Sequence, residues 1–213
     1  NGSPYRRGVR DERMAVAVAR VIESGLPLLY VNQVGGQDEL VFDGASFALN
    51  ADGALAAQAH AFREEIAVTT WRKQGGGWAC VDGELAVTEE GDEADYAACV
   101  LGLRDYVDKN RFPGVVLGLS GGIDSAICAA MAVDALGPDR VRCLMMPYRY
   151  TSEDSLVDAA ACARALGVSY ETVPIAPVVE GFMAALAPLF AGRAPDITEE
   201  NMQSRARGTI LMS

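Results

Sequence analysis

Val115-Val116-Leu117-Gly118-Leu119-Ser120-Gly121-Gly122-Ile123-Asp124-Ser125 is the stretch whose reading decides the fold. Its apolar opening, Val115 to Leu119, reads as a buried strand. The Ala-rich run from about Gly122 to Leu136 reads as a helix, so the paired glycines fall at the junction of the two. Downstream the pattern repeats as strand Val141 to Met146, helix Ser152 to Leu166 and strand Val168 to Val173. Helices near Val178 to Phe190 and Thr198 to Ser213 follow. Upstream, Tyr96 to Asn110 reads as a helix with Val100, Leu103 and Val107 on one face. Strands alternating with helices of this length predict a parallel sheet covered by helices on both faces.

In such sheets ligands bind beyond the carboxyl ends of the strands, where this loop lies. Tandem glycines let backbone N–H groups crowd an anion, and the start of the next helix adds its positive dipole end. Ser120 and Ser125 are candidate hydroxyl donors. Asp124 conflicts with a pure phosphate cradle unless Mg²⁺ bridges it, because a hard cation takes carboxylate and phosphate oxygens together. The segment matches neither the Walker loop nor G-x-G-x-x-G, and the only lysines are Lys73 and Lys109. Ser120-Gly121-Gly122-Ile123-Asp124-Ser125 instead resembles the loop of the ATP pyrophosphatases, which hold the pyrophosphate of ATP and cleave between its α- and β-phosphates.

The first half is patterned differently. Met14, Val18, Val21 and Ile22 recur at helical spacing between Gly8 and Ser24, and Gly25 and Pro27 stop the run. Leu28 to Val31 reads as a short strand of the buried type. A break at Gly35-Gly36 follows, then strands at Leu40 to Phe42, Ala45 to Leu49 and Leu55 to Ala61, with Ile66 to Val68 closing the set. Asp43-Gly44 and Asp52-Gly53 read as turns. Between Asp82 and Asp95 there are seven acids and no base, and Gly75-Gly76-Gly77 stands just before them. This reads as a solvated, flexible linker.

Across 213 residues the chain carries 18 basic and 29 acidic side chains, a net charge of −11, which opposes binding to a nucleic-acid backbone. Half the residues are hydrophobic, enough for a proper core. No apolar run approaches the ~18 residues of a membrane span, and no signal-peptide pattern opens the chain, so cytoplasm is the expected location. Cys80, Cys99, Cys128, Cys143 and Cys162 form no metal-type spacing, and those in Ala-rich helices read as small apolar fillers. His60 reads as a surface strand residue. The chain opens without Met and stops inside a helical pattern, so a piece of a longer protein is expected.

Further segments narrow the resemblance. Asn1 to Tyr5 and the run Tyr30-Val31-Asn32-Gln33-Val34-Gly35-Gly36-Gln37-Asp38-Glu39-Leu40-Val41-Phe42-Asp43-Gly44 resemble the last part of the nitrilase-like glutaminase domain of the glutamine-dependent NAD⁺ synthetases. Gly118 to Ala126 resembles that family's ATP loop, and Glu200-Asn201-Met202-Gln203-Ser204-Arg205-Ala206-Arg207-Gly208 its second synthetase motif. The resemblance implies the end of a nitrilase-like α/β sandwich over 1–80, an acidic linker over 81–95, and the beginning of a Rossmann-like, parallel-sheet ATP pyrophosphatase domain over 96–213.

It also implies ATP-dependent amidation of deamido-NAD⁺ through an acyl-adenylate, with ammonia drawn from glutamine. Gly118, Leu119, Ser120, Gly121, Gly122, Ile123, Asp124 and Ser125 would hold ATP, Asp124 a Mg²⁺, Asn201 deamido-NAD⁺ and Ser3 glutamine. Met145-Met146-Pro147 would lie near adenine or simply end a core strand; Arg205 and Arg207 would reach a phosphate or serve as surface helix residues. The family's glutaminase Cys, Glu and Lys lie before the position of Asn1, and many relatives place Lys where this chain has Val9. Homo-oligomers are implied as well. Two other readings stay open: another amidotransferase-coupled ATP pyrophosphatase of the GMP or asparagine synthetase type, and a binding module without catalysis.

Overall fold

The computed structural model describes residues 1–190 and 197–213, which fall into two compact units, Asn1–Asn110 and Arg111–Ser213. In the first, helix α1 (Val9–Ser24) begins after Gly8 with Asp11 and Glu12 favourably placed in its first turn. It ends on Gly25, whose left-handed backbone lets its N–H reach Val21 O at 2.8 Å. The inward face is Val9, Arg13, Ala17 and Val21, four residues apart each time. Met14 and Val18 flank that face, but Ile22 is exposed, so the apolar stripe expected from the sequence is rotated. The rotation follows from Arg13, a charged residue accepted inside.

Ala17 and Val21 pack on β1 (Leu28–Tyr30) and on β4 (Phe47–Leu49), with Phe47 and Leu49 completing the cluster. β1, β4 and β5 (Leu55–Gln58) make an antiparallel sheet in the order β1-β4-β5. β1 is an edge with Leu29 exposed, not the buried strand expected. β2 (Val34–Gln37) and β3 (Leu40–Asp43) form a hairpin, so Gly35-Gly36 is strand rather than a break. Gly44 and Gly53 do take positive φ at the expected turns. Residues 66–68 form no strand, and Ile66 is 94% exposed. The triple glycine is no flexible spacer either. Gly75 and Gly76, at φ 56° and 91°, turn a hairpin between β6 (Thr70–Gln74) and β7 (Gly77–Asp82).

The acidic run is tied down rather than free. Gln58 N–H donates to Glu84 O at 2.8 Å, and Ala86 N–H to Gln58 O at 2.9 Å. Arg10 binds the Glu89 carbonyl at 3.0 Å and also Thr88. Arg7 pairs with Asp92 at 2.6 Å and with Asp95, supplying the partners that the sequence pattern alone does not reveal. Helix α2 starts at Gly91, five residues before the expected Tyr96, and runs to Lys109 across β2 and β3 in the first unit.

The second unit follows the strand–helix alternation closely. β8 (Val115–Gly118), β9 (Val141–Met145) and β10 (Ser169–Thr172) are parallel and adjacent in that order. The intervening helices α3 (Ile123–Leu136) and α4 (Glu153–Leu166) pack on each other and on the sheet, on one face as right-handed crossovers demand. Along β9, Val141, Cys143 and Met145 are buried on alternate positions. Leu144 belongs to the opposite face, in a cluster with Met146, Ile175, Val179 and Ala206 beneath α5 (Ala176–Phe190) and α6 (Ile197–Leu211). Helices therefore cover both faces, as expected.

Candidate functional site

The glycine loop lies at the carboxyl end of β8, in the order the sequence predicts: strand, loop, then α3 with Gly122 as its N-cap. Leu119 anchors it. The residue is 1% exposed and its N–H donates to Leu144 O at 2.9 Å, so neither its side chain nor its amide is free for a ligand. Gly121 has φ 83° and lies directly on α4. A Cβ there would stand 2.9 Å from Ser155 Cα and would run into the Ser155 carbonyl. Glycine is required twice over, by conformation and by space.

Ser120 and Ser125, expected as donors to a ligand, brace the loop itself. Ser120 N–H donates to Ser125 Oγ at 3.1 Å, Ser125 Oγ–H to Gly122 O at 2.9 Å, and Gly122 N–H to Ser120 Oγ at 3.3 Å. The two hydroxyl oxygens are 3.0 Å apart. Anion-binding capacity thus rests on backbone amides: those of Ile123 and Asp124, in the first turn of α3, precede the reach of any intrahelical acceptor. Ile123 (78% exposed) and Asp124 stand at the surface.

Among the described residues no group of three or more His, Cys, Asp or Glu gathers to hold a metal. One carboxylate beside a phosphate cradle nevertheless fits Mg²⁺, which keeps several waters and shares its sphere with phosphate oxygens.

Met145 and Met146, at the end of β9, are buried; Met146 lies beside Gly118, where an added Cβ would stand 3.0 Å from its Cε. The carbonyls of Met145, Met146 and Pro147 accept from Val173 N–H (2.8 Å), Arg207 Nε–H (3.2 Å) and Ile175 N–H (3.1 Å). This segment is core and strand end in its own right. Arg207 therefore braces a strand end, whereas Arg205 is exposed on the same stripe of α6 as Asn201, four residues away. The Leu211 end of α6 meets Gly118, with Leu211 Cδ1 4.0 Å from the built Cβ position. Asn201 lies ten residues back, about 15 Å along the axis. Residues 118–125 form one continuous strand–loop–helix segment, and Asn201 stands toward the start of α6.

In the first unit Ser3 is half-buried and Val9 buried. Around Ser3 lies a network that sequence reading missed, because a charge at a core position breaks the hydrophobic pattern. Arg13 and Asp43, with side chains 7% and 0% exposed, pair there, and Asn32 is buried beside them. The sequence signal available was the charge at the centre of α1's apolar repeat. A cavity of about 310 Å³ in the same unit is bordered by Arg13, Asp43, Phe47, Gln58 and Phe62, and loop 118–125 lines none of it.

Cys80 and Cys143 are buried, while Cys99 and Cys128 are exposed and so do not fill core space as expected; all five thiols are free. Burial pushes the Cys143 thiol above its ordinary range. His60 follows β5 outside any strand, and its Nδ1 lies 2.9 Å from Glu65 Oε2. That hydrogen bond holds the Glu65 carboxyl below its usual range.

Comparison with known proteins joins the two halves. The family model described as NAD synthase matches residues 95–213, and that described as carbon-nitrogen hydrolase matches residues 6–77. The chain is 54% identical over 213 residues to a glutamine-dependent NAD(+) synthetase of Rhodobacter capsulatus, and 48% identical over 225 aligned positions to one of Xanthomonas campestris. All of this chain is covered, but it spans only 39% of the length of each of these relatives. Among solved structures it resembles the glutamine-dependent NAD+ synthetase of Acinetobacter baumannii in complex with ADP. The TM-score is 0.94 and the identity 45%, covering 100% of this chain and 40% of the other.

Proposed function

The chain belongs to the NAD synthase family, and from that premise we propose that the complete protein amidates deamido-NAD⁺ to NAD⁺ with ATP and with ammonia drawn from glutamine. The supporting observation is the loop 118–125: a backbone cradle at a strand's carboxyl end, locked by a glycine that no other residue can replace. A carboxylate is a poor acyl donor, so the nicotinate oxygen first attacks the α-phosphorus of ATP and takes the adenylyl group as pyrophosphate leaves. Ammonia then attacks the acyl carbon and AMP departs. Such chemistry rests on positioning and charge neutralisation, which rigid amides at a helix start supply.

The amides of Ile123 and Asp124 hold the polyphosphate. Asp124 would hold a Mg²⁺ beside it, which would supply charge neutralisation for the leaving pyrophosphate. Asn201, on α6, binds deamido-NAD⁺. Ser3 contacts glutamine in the other unit. The work is placed in the cytoplasm and in a homo-oligomer. Among the described residues, no helix is long and apolar enough to cross a membrane.

Asp124→Ala in the full-length protein tests the reading. Amide formation from deamido-NAD⁺ with ammonia is expected to fall by roughly 100-fold or more. Turnover close to that of the parent protein removes Asp124 from the site. Pyrophosphate release that depends on deamido-NAD⁺ supports the reaction named; dependence on XMP or aspartate transfers the protein to the GMP or asparagine synthetase type.

A further inference from the structure

Arg13 sits on α1's inward face, and its guanidinium is shared between the Ser3–Pro4 segment and Asp43. Nε–H donates to Ser3 Oγ at 3.0 Å, Nη2–H to Ser3 O at 2.8 Å and to Pro4 O at 3.1 Å, and Nη1–H to Asp43 Oδ2 at 2.9 Å. Asp43 Oδ1 lies 2.9 Å from Nη2 in ion-pair contact, without a hydrogen bond of its own. Asn32 grips Ser3 from the other side: its Oδ1 accepts the Ser3 N–H, and its Nδ2–H donates to Ser3 O, both at 2.9 Å. Asn32 is itself fixed by its N–H to Ser46 Oγ at 3.0 Å.

Stability alone does not account for this arrangement. A buried ion pair contributes little beyond what well-packed apolar residues of similar volume would give. What the arrangement does fix is the chemistry left to Ser3. A serine hydroxyl has one hydrogen and two acceptor lone pairs. The backbone N–H and C=O of Ser3 are both engaged, and one lone pair of Oγ is taken by a permanent cation. A hydroxyl oxygen that accepts from a cation becomes a stronger donor through its own hydrogen. Ser3 is thereby set to donate to an anionic or carbonyl oxygen.

We propose that Arg13, held by Asp43, is a positioning residue of the glutamine site, presenting the Ser3 hydroxyl as a hydrogen-bond donor to the substrate's α-carboxylate. This rests on the reading of Ser3 as a glutamine contact given above. Arg13 itself does not touch the substrate. Its effect passes through Ser3, and the loss of either residue removes the same interaction.

The test compares glutamine-supported with ammonia-supported amidation in the full-length protein carrying Ser3→Ala, Arg13→Met, Arg13→Lys, and Ser3→Ala with Arg13→Met together. The ratio of the two kcat/KM values is expected to fall roughly tenfold or more in each single variant, mainly through KM for glutamine, as loss of a charge-supported hydrogen bond predicts. The double variant is expected to be no worse than the weaker single one. Arg13→Lys keeps the charge against Asp43 but loses the fork, so it is expected to fold and still show the defect; it carries the test if Arg13→Met does not fold. A parent-like ratio in Ser3→Ala removes the glutamine reading, and the proposal with it. A defect in Ser3→Ala with parent-like ratios in the Arg13 variants, or losses that multiply in the double variant, overturns the proposal alone.

Discussion

Gly121 concentrates the site's requirements in one residue. Its φ of 83° costs any L side chain about 1–2 kcal/mol, and the Ser155 backbone leaves no room for a Cβ. Gly121→Ala is therefore expected to lower the melting temperature of the second unit by about 4 °C or more, read by thermal unfolding. Gly122 provides the contrast. It is extended, and an added Cβ would meet only the Ser120 hydroxyl at 3.5 Å, so Gly122→Ala is expected to cost less than about 1 kcal/mol. The phosphate-loop signature quotes both glycines alike; only the neighbouring helix separates their roles.

Helix α2 and strand β2 show the same economy on a larger scale. Gly36 lies against the helix so closely that an added Cβ would be 2.9 Å from Gly102 Cα. The helix then serves as a substitute strand partner: Asp105 Oδ2 accepts the Gly36 N–H at 2.7 Å, and Lys109 Nζ donates to Gly36 O at 2.6 Å. Gly36→Ala is expected to destabilise the first unit by about 1–3 kcal/mol through overpacking, measurable by urea unfolding. None of this was legible in the sequence, where two adjacent glycines read as a break. The parallel sheet, by contrast, was legible nearly to the residue, because short strands and long helices alternate regularly, although β8 and β10 are only partly buried. In the first half strands are short, and charged partners arrive from far along the chain. Arg7 finds Asp92 and Asp95, and Arg13 finds Asp43, which local pattern cannot foresee. In the loop the strand–loop–helix arrangement was legible; that its serines brace it from within was not.

For the molecule as a whole, long-range ties fix the chain's beginning to its acidic run. Tyr5 OH donates to Asp95 Oδ1 at 2.7 Å, and burial, then this hydrogen bond, push the phenol up from 10.0 to about 12. In the unfolded chain the phenol ionises near its ordinary value. The tie's contribution is therefore intact below pH 10.0 and is lost as pH rises toward about 12. Tyr5→Phe is expected to flatten the alkaline limb of the stability curve in that window; an unchanged difference from the parent across it would dissociate Tyr5 from the effect. The place of β8 in its sheet bears on handling. Its hydrogen bonds run to β9 on one flank, and among the described residues no strand covers the other, where Val116 lies half in water. Produced by itself, this polypeptide presents a ready template on which a second copy can stack, and mutual repulsion at a net charge of −11 is the natural brake. Concentrated solutions should stay clear at low ionic strength and scatter light increasingly as sodium chloride is added.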